Sequence, residues 1–131
     1  MPLSLRFAPL ALLLALVGCG ASKEPIELSA EMEPRDEKYF PMTAPNKNWN
    51  GVVSAKTDGA AVDIYLVKAG TEEEAIRIVR KSDAKQILAS KIEKVNPTFD
   101  AEIPADTVYG VFVVNTDRNR RARVTIKLTE K

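Results

Sequence analysis

The feature that most narrows the fold of this chain is a rhythm of short apolar runs broken by turn residues. In Arg123 to Leu128, Val124, Ile126 and Leu128 alternate with Arg123, Thr125 and Lys127. That period of two belongs to a half-buried strand, with one face on a core and the other in water. Ala61 to Lys68 repeats it, with Val62, Ile64 and Leu66 on one face and Asp63, Tyr65 and Val67 on the other. Pro45-Asn46-Lys47-Asn48, Asp58-Gly59, Pro104-Ala105-Asp106 and the polar stretch Thr116 to Arg121 punctuate the runs. Such spacing predicts an all-β fold, a small antiparallel β-sandwich of about seven or eight strands.

Further strands are expected at Tyr39 to Thr43, Trp49 to Lys56, Lys85 to Val95, Thr98 to Ile103 and Thr107 to Asn115. Pro41 confines the first to an edge or a bulge, because proline has no N–H for a ladder. Asp58-Gly59 is a hairpin-type turn. Val111-Phe112-Val113-Val114 is β-branched and apolar at every position, which predicts a central strand buried on both faces. Ala21 to Glu37 is polar and holds Pro25 and Pro34, and reads as a tether with room for a short edge strand at Ile26 to Met32.

Thr71 to Lys81 breaks the rhythm. Thr71 followed by Glu74 is a capping box, Glu72 to Glu74 open the segment, and Arg80 and Lys81 close it. Acid at the start and base at the end complement a helix dipole. Ala75, Ile78 and Val79 share a face, so one short inserted amphipathic helix is expected. The Ile76/Ile78 alternation leaves a strand open as the alternative.

The N-terminus carries a different signal. Arg6 precedes an apolar run from Ala8 to Val17, which ends in Leu16-Val17-Gly18-Cys19. This arrangement resembles the type II signal peptide and lipobox of bacterial lipoproteins. The resemblance implies a signal peptide over 1–18, cleavage between Gly18 and Cys19, and diacylglycerol on the Cys19 thiol. It implies a membrane partner reached through acyl chains, with 19–36 as lipidated cysteine and tether and 37–131 as the sandwich domain. The apolar run is shorter than the roughly 20 residues that span a bilayer. Two or more acyl chains hold a protein stably where one does not. Gly20 is not the aspartate of the inner-membrane retention rule, so the resemblance favours the outer membrane in a cell that has two.

Removing 18 of 131 residues leaves 113, enough for a single core. Arg6 is the only charged side chain lost, so 18 basic and 18 acidic side chains remain, which argues against a nucleic-acid partner. Cys19 is the sole cysteine, so with its thiol acylated no disulfide forms and packing alone holds the core. The chain has no histidine. That removes the usual general base, the Ser-His and Cys-His pairs and most zinc sites. Ser54, Ser82 and Ser90 have no adjacent base, and neither a nucleophile elbow nor a phosphate loop is present.

The order Tyr39-Phe40-Pro41-Met42, Val52 to Ala55, Ala61 to Val67, Phe99 to Pro104, Val108 to Val113 and Val124 to Leu128 is similar to that of bacterial pre-peptidase C-terminal domains and related GOLD-like β-sandwiches. The resemblance covers about Glu37 to Thr129. It implies an accessory sandwich used for contact rather than chemistry. Some relatives hold calcium, but no acidic cluster here matches such a site, and no metal or cofactor is expected.

Several residues have two readings each. Arg118, Arg120, Arg121 and Arg123 form the densest charge cluster, suited to anionic headgroups or acidic glycan, or else a solvated hairpin. Trp49, flanked by Asn48 and Asn50, can stack on a sugar or anchor a protein, or it plugs the end of the core. Tyr39 joins Trp49 as a candidate aromatic contact. Asp63 is an outward carboxylate paired with Lys or Arg, or a ligand. The role expected is a non-catalytic envelope module binding a protein or glycan. The alternatives are a structural spacer and, last, an enzyme. An exposed aromatic patch around Trp49 and Tyr39 would favour binding, and a uniformly charged surface the spacer.

Overall fold

The structure, a computed structural model, describes residues 24–131. The expected signal peptide, Gly18, Cys19 and the start of the tether lie outside the described residues. The elements run β1 (Ile26–Met32), β2 (Glu37–Met42), β3 (Trp49–Lys56), β4 (Val62–Val67), α1 (Glu72–Lys81), β5 (Ile87–Lys94), β6 (Thr98–Ile103), β7 (Tyr109–Asn115) and β8 (Ala122–Glu130). They form two four-stranded antiparallel sheets, β1-β8-β3-β6 and β2-β7-β4-β5.

The first strand pairs with the last, the second with the seventh, the third with the sixth and the fourth with the fifth. That nesting, wrapped into two sheets, is the jelly-roll form of the β-sandwich. The expected sandwich with one helix is therefore present. The short edge strand expected at Ile26 to Met32 is present, pairing with β8 along its whole length, with Met32 buried in the core. Leu28 and Ala30 point the same way as Met32, and this inward alternation makes the segment a true edge strand.

Asp58-Gly59 is also placed differently from expectation. Both residues have positive φ, 58° and 86°, and the Ala60 N–H donates to the Thr57 carbonyl at 3.1 Å. The turn is tight, but β3 is flanked by β8 and β6 and has no free side for β4. It is therefore a corner between the sheets rather than a hairpin.

Between the sheets lies the main core, where Val53, Val62, Ile64, Leu66, Val111, Ile103, Ile126 and Leu128 are buried. A second cluster lies on the outside of the β2-β7-β4-β5 sheet. There Ala75 and Ile78 of α1 pack with Val67, Ala69 and Phe112. β7 is thus buried on both faces, as its unbroken apolar run predicts. The helix is capped as expected, with Thr71 Oγ1 accepting from the Glu74 N–H. Glu74 does not close the box on Thr71. Its Oε1 accepts instead from the Gly70 N–H at 2.8 Å.

Tyr39, Phe112 and Tyr65 are register partners across β2, β7 and β4 on this helix-covered face. The Tyr39 ring lies over Gly110, where a Cβ would collide with its hydroxyl end. That hydroxyl donates to the Ala69 carbonyl at 2.7 Å, tying β2 to the entry of the helix. Gly110→Ala should displace the ring and cost about 1–3 kcal/mol in urea denaturation. Combining it with Tyr39→Ala should recover part of that loss in a double-mutant cycle. Simple additivity would mean that ring and glycine are not coupled.

Candidate functional site

One sheet is roofed by α1, whereas the other is bare. On the outer face of β1-β8-β3-β6 lies an open trough of about 940 Å³. Strand alternation supplies its lining. Arg123, Thr125 and Lys127 come from β8, Ser54 and Lys56 from β3, Thr98 from β6 and Glu27 from β1. These are the positions that face away from Val124, Ile126, Val53 and Ala55. Asp58, Gly59 and Asn96 close the trough at one end.

Register sets the charges. Lys127 sits opposite both Glu27 and Ser54, and Lys56 sits opposite Thr125. Arg123 is held by Glu31 at 2.7 Å. Among the described residues, Lys56 and Lys127 have no ion-pair partner within 4.0 Å. The arginine cluster borders the trough at that closed end. The Arg120 guanidinium lies against Gly59, 2.6 Å from where a Cβ would stand. Arg121 pairs with Glu33 at 3.0 Å, while Arg118 is exposed with no ion pair among the described residues. Exposed pairs of this kind contribute only about 0–1 kcal/mol each.

The loops at this end are braced by polar side chains. Asn115 is fully buried, and its Nδ2 donates to the Glu33 carbonyl at 3.0 Å and the Arg120 carbonyl at 2.8 Å. Its Oδ1 accepts from the Asp117 N–H. Asn96 Oδ1 accepts from the Thr57 N–H at 2.9 Å, and Thr116 Oγ1 donates to the Ala61 carbonyl. All four connections here (β1–β2, β3–β4, β5–β6 and β7–β8) are thereby tied together. This end lies opposite the one where β1 begins, because Met32 pairs with Ala122 while Ile26 pairs with Leu128.

Trp49 and Tyr39 do not form a common patch. Trp49 lies half-buried at the end of the main core, over Gly51, beside a hollow of about 320 Å³ lined by Asn48, Asn50 and Glu102. Tyr39 is on the outer face of the other sheet, near α1. Their sequence proximity misleads, because β2 and β3 belong to different sheets. Burial, and then the charge of Glu74, push the Tyr39 hydroxyl pKa up.

Asp63 is likewise not paired with Lys or Arg. Its Oδ1 accepts from the Glu93 N–H at 2.7 Å, at an irregularity between β4 and β5, and its Oδ2 accepts from the Tyr65 hydroxyl at 3.5 Å. Burial, opposed by the Glu93 N–H, raises its carboxyl pKa. Of the trough cations, Arg123 was legible as a member of the arginine cluster and, like Lys127, as an outward position of a strand, but their meeting with Lys56 needed the register. Among the described residues, no three His, Cys, Asp or Glu side chains stand together as a metal site.

No family model matches the chain, and no curated protein matches it. Solved structures do share its fold. The chain is similar to PliG of Aeromonas hydrophila, a periplasmic lysozyme inhibitor of g-type lysozyme. The TM-score is 0.52 at 9% identity, covering 83% of this chain and 88% of that one. It is also similar to the Yersinia pseudotuberculosis-derived mitogen, with a TM-score of 0.55 at 5% identity, covering 82% of this chain and 86% of that one. At such identities the likeness is one of fold.

Two outcomes follow for these residues. Asn115→Ala leaves two carbonyls without their donor and should cost about 1–3 kcal/mol in urea denaturation. A raised Asp63 pKa means that the folded state binds this proton more tightly than the unfolded state, so stability falls as pH rises through the raised value. Asp63→Asn keeps the acceptor for Glu93 and carries no charge. At pH 7 its thermal midpoint should therefore match or exceed the parent's, and any advantage should vanish below the ordinary carboxyl value of 3.8. A lower midpoint at pH 7 would show that the ionised form is the stabilising one.

Proposed function

We propose that the chain is a lipid-anchored, non-catalytic binding module of the bacterial cell envelope. Acyl chains on Cys19 hold it at a membrane, and its partner is an envelope protein or glycan. The observation that carries this reading is the open trough, broad, polar and exposed. Small-molecule sites enclose most of their ligand, which a surface of this shape does not do. The lack of histidine in the chain points the same way.

The apolar N-terminal run ending at Cys19 supports an extracytoplasmic position. The similarity of the later segments to pre-peptidase C-terminal and GOLD-like sandwiches supports a contact role. PliG, a periplasmic inhibitor, is a precedent for this fold outside the cytoplasm in a role other than catalysis. Anchoring confines the domain to a surface and raises its effective concentration toward partners there. Gly20 favours the outer membrane where two exist. The arginine cluster is at the end of the sandwich remote from the N-terminus of β1.

A second reading, a structural spacer, is favoured by two observations. Trp49 and Tyr39 make no shared aromatic patch, and two of the basic-end arginines are engaged by Glu31 and Glu33. In-cell crosslinking separates the two, with Cys19→Ala as the control and mass spectrometry to identify products. The wild-type chain should sediment with membranes, carry an acylated N-terminal cysteine and yield a defined crosslinked partner that the control loses. Membrane association without any partner would favour the spacer. An unmodified Cys19 in membrane-derived protein would overturn the anchor.

A further inference from the structure

We infer that the hollow beside Trp49 holds one unit of a neutral, hydroxyl-rich glycan of the envelope. This inference rests on the reading of the chain as a tethered binding module and narrows its partner to a sugar. The hollow opens where β3 begins and β6 ends. Register builds it, with Trp49 opposite Ile103 and Asn50 opposite Glu102. Asn48 and Pro104, the next residue beyond each strand, finish the walls. Its volume of about 320 Å³ is at the small end of ligand cavities, roughly 300–1,000 Å³. The hollow is open, so it takes one unit while the rest of a chain runs on outside it.

The first argument is the tryptophan. Gly51 has no side chain, so the indole lies back on β3, where a Gly51 Cβ would collide with Cη2 and Cζ2. The ring also packs on the main core, so its position is set before a ligand arrives. It is half-buried rather than sealed, and its Nε1–H donates to no group among the described residues. An indole offers an apolar body and a polar tip. A sugar unit matches both, with C–H groups on its face and hydroxyls around its rim.

The second argument is the polar wall. Asn48 Oδ1 accepts from the Ala105 N–H at 2.8 Å, which fixes the amide and leaves Nδ2 without an acceptor among the described residues. Asn50 and Glu102 are exposed, and their side chains make no hydrogen bond or ion pair among the described residues. Amides donate and accept, and a carboxylate only accepts, a set that sugar hydroxyls satisfy because each both donates and accepts.

The same wall disfavours other occupants. Glu102 is its one ionised side chain, and neither Lys nor Arg lines it, so an anionic chain meets repulsion. Quaternary ammonium groups are recognised by cages of aromatic rings, and here there is one ring. A tryptophan that anchors a protein interface fills a pocket on the partner, whereas Trp49 lies back against Gly51.

Trp49 is the only tryptophan of the chain, so its fluorescence reports on this hollow alone. The full chain, in a detergent without a sugar headgroup, is titrated with cellotetraose and chitotetraose, with tetragalacturonate as the anionic comparison. A saturable change of emission is expected with at least one neutral tetrasaccharide. Its affinity should hold within about twofold between about 0.05 M and 0.5 M salt, because no ion pair is involved. Tetragalacturonate should bind about tenfold more weakly or less. Asn50→Ala/Glu102→Ala removes two exposed side chains and should weaken neutral binding about tenfold, with the folded spectrum unchanged. Ser54→Ala/Lys127→Ala, in the trough, should leave it within about twofold. Failure of both neutral sugars to bind would overturn the inference, as would equal binding of tetragalacturonate or equal loss in the two double variants. A crosslinked protein lost with Asn50→Ala/Glu102→Ala, in the absence of sugar binding, would be the occupant instead. Acylation of Cys19 is read separately, from the mass of membrane-derived protein, so a failed anchor and a failed sugar site are told apart.

Discussion

The burial of β7 on both faces is the constraint from which the rest of the molecule follows. Val111 and Val113 enter the core between the sheets, while Phe112 points the other way and is still only 1% exposed. Something must cover it, and that cover is α1. A ten-residue helix is marginal by itself in water. Its cap at Thr71 and its ordered charges help, but Ala75 and Ile78 settle it by packing on Phe112 and Val67. Helix and strand therefore each supply what the other lacks.

That roof makes the molecule asymmetric. The sheet holding β8 has no such cover, so its outward positions must be tolerable in water, and they include lysine, arginine, serine and threonine together with Glu27, Glu31, Asp100 and Glu102. Its loop end is stiffened by Asn115, Asn96 and Thr116, which answer backbone groups of neighbouring connections. Rigid loops present their charges with little entropy to lose on binding.

Much of this was legible in the sequence because face alternation is local. Val124, Ile126 and Leu128 declare their side without reference to any other strand, and Thr71 with Glu74 marks a helix start by neighbours alone. What was not legible depends on strands far apart in the chain. The Asp58-Gly59 pair has the composition of a hairpin, yet β3 already has partners on both sides. Ile26–Met32 read as an edge strand inside a tether because Leu28, Ala30 and Met32 alternate with Glu27, Ser29 and Glu31, and only pairing with β8 gives the first three a core to face. Tyr39 and Trp49 are close in sequence and on different sheets. Asp63 sought no cation because a backbone N–H freed at the β4–β5 irregularity reached it first.

The same long-range pairing decides which edges remain open. β1, β6, β2 and β5 each have one unpaired side, and any such side can template another chain. Each edge carries its own deterrent. β1 holds Glu27 and Glu31, β6 holds Asp100 and Glu102, and β2 holds Pro41. β5 holds Lys91 and Lys94, and Glu93 has a φ of 51° that breaks the extended run beside exposed Ile92. In this light Asp63 has a clear structural task, since its acceptance of the Glu93 N–H fixes the irregularity. On the proposed membrane anchor the domain would meet its own copies at high effective concentration. Edges that refuse one another leave the bare polar face as the surface on which a partner can settle.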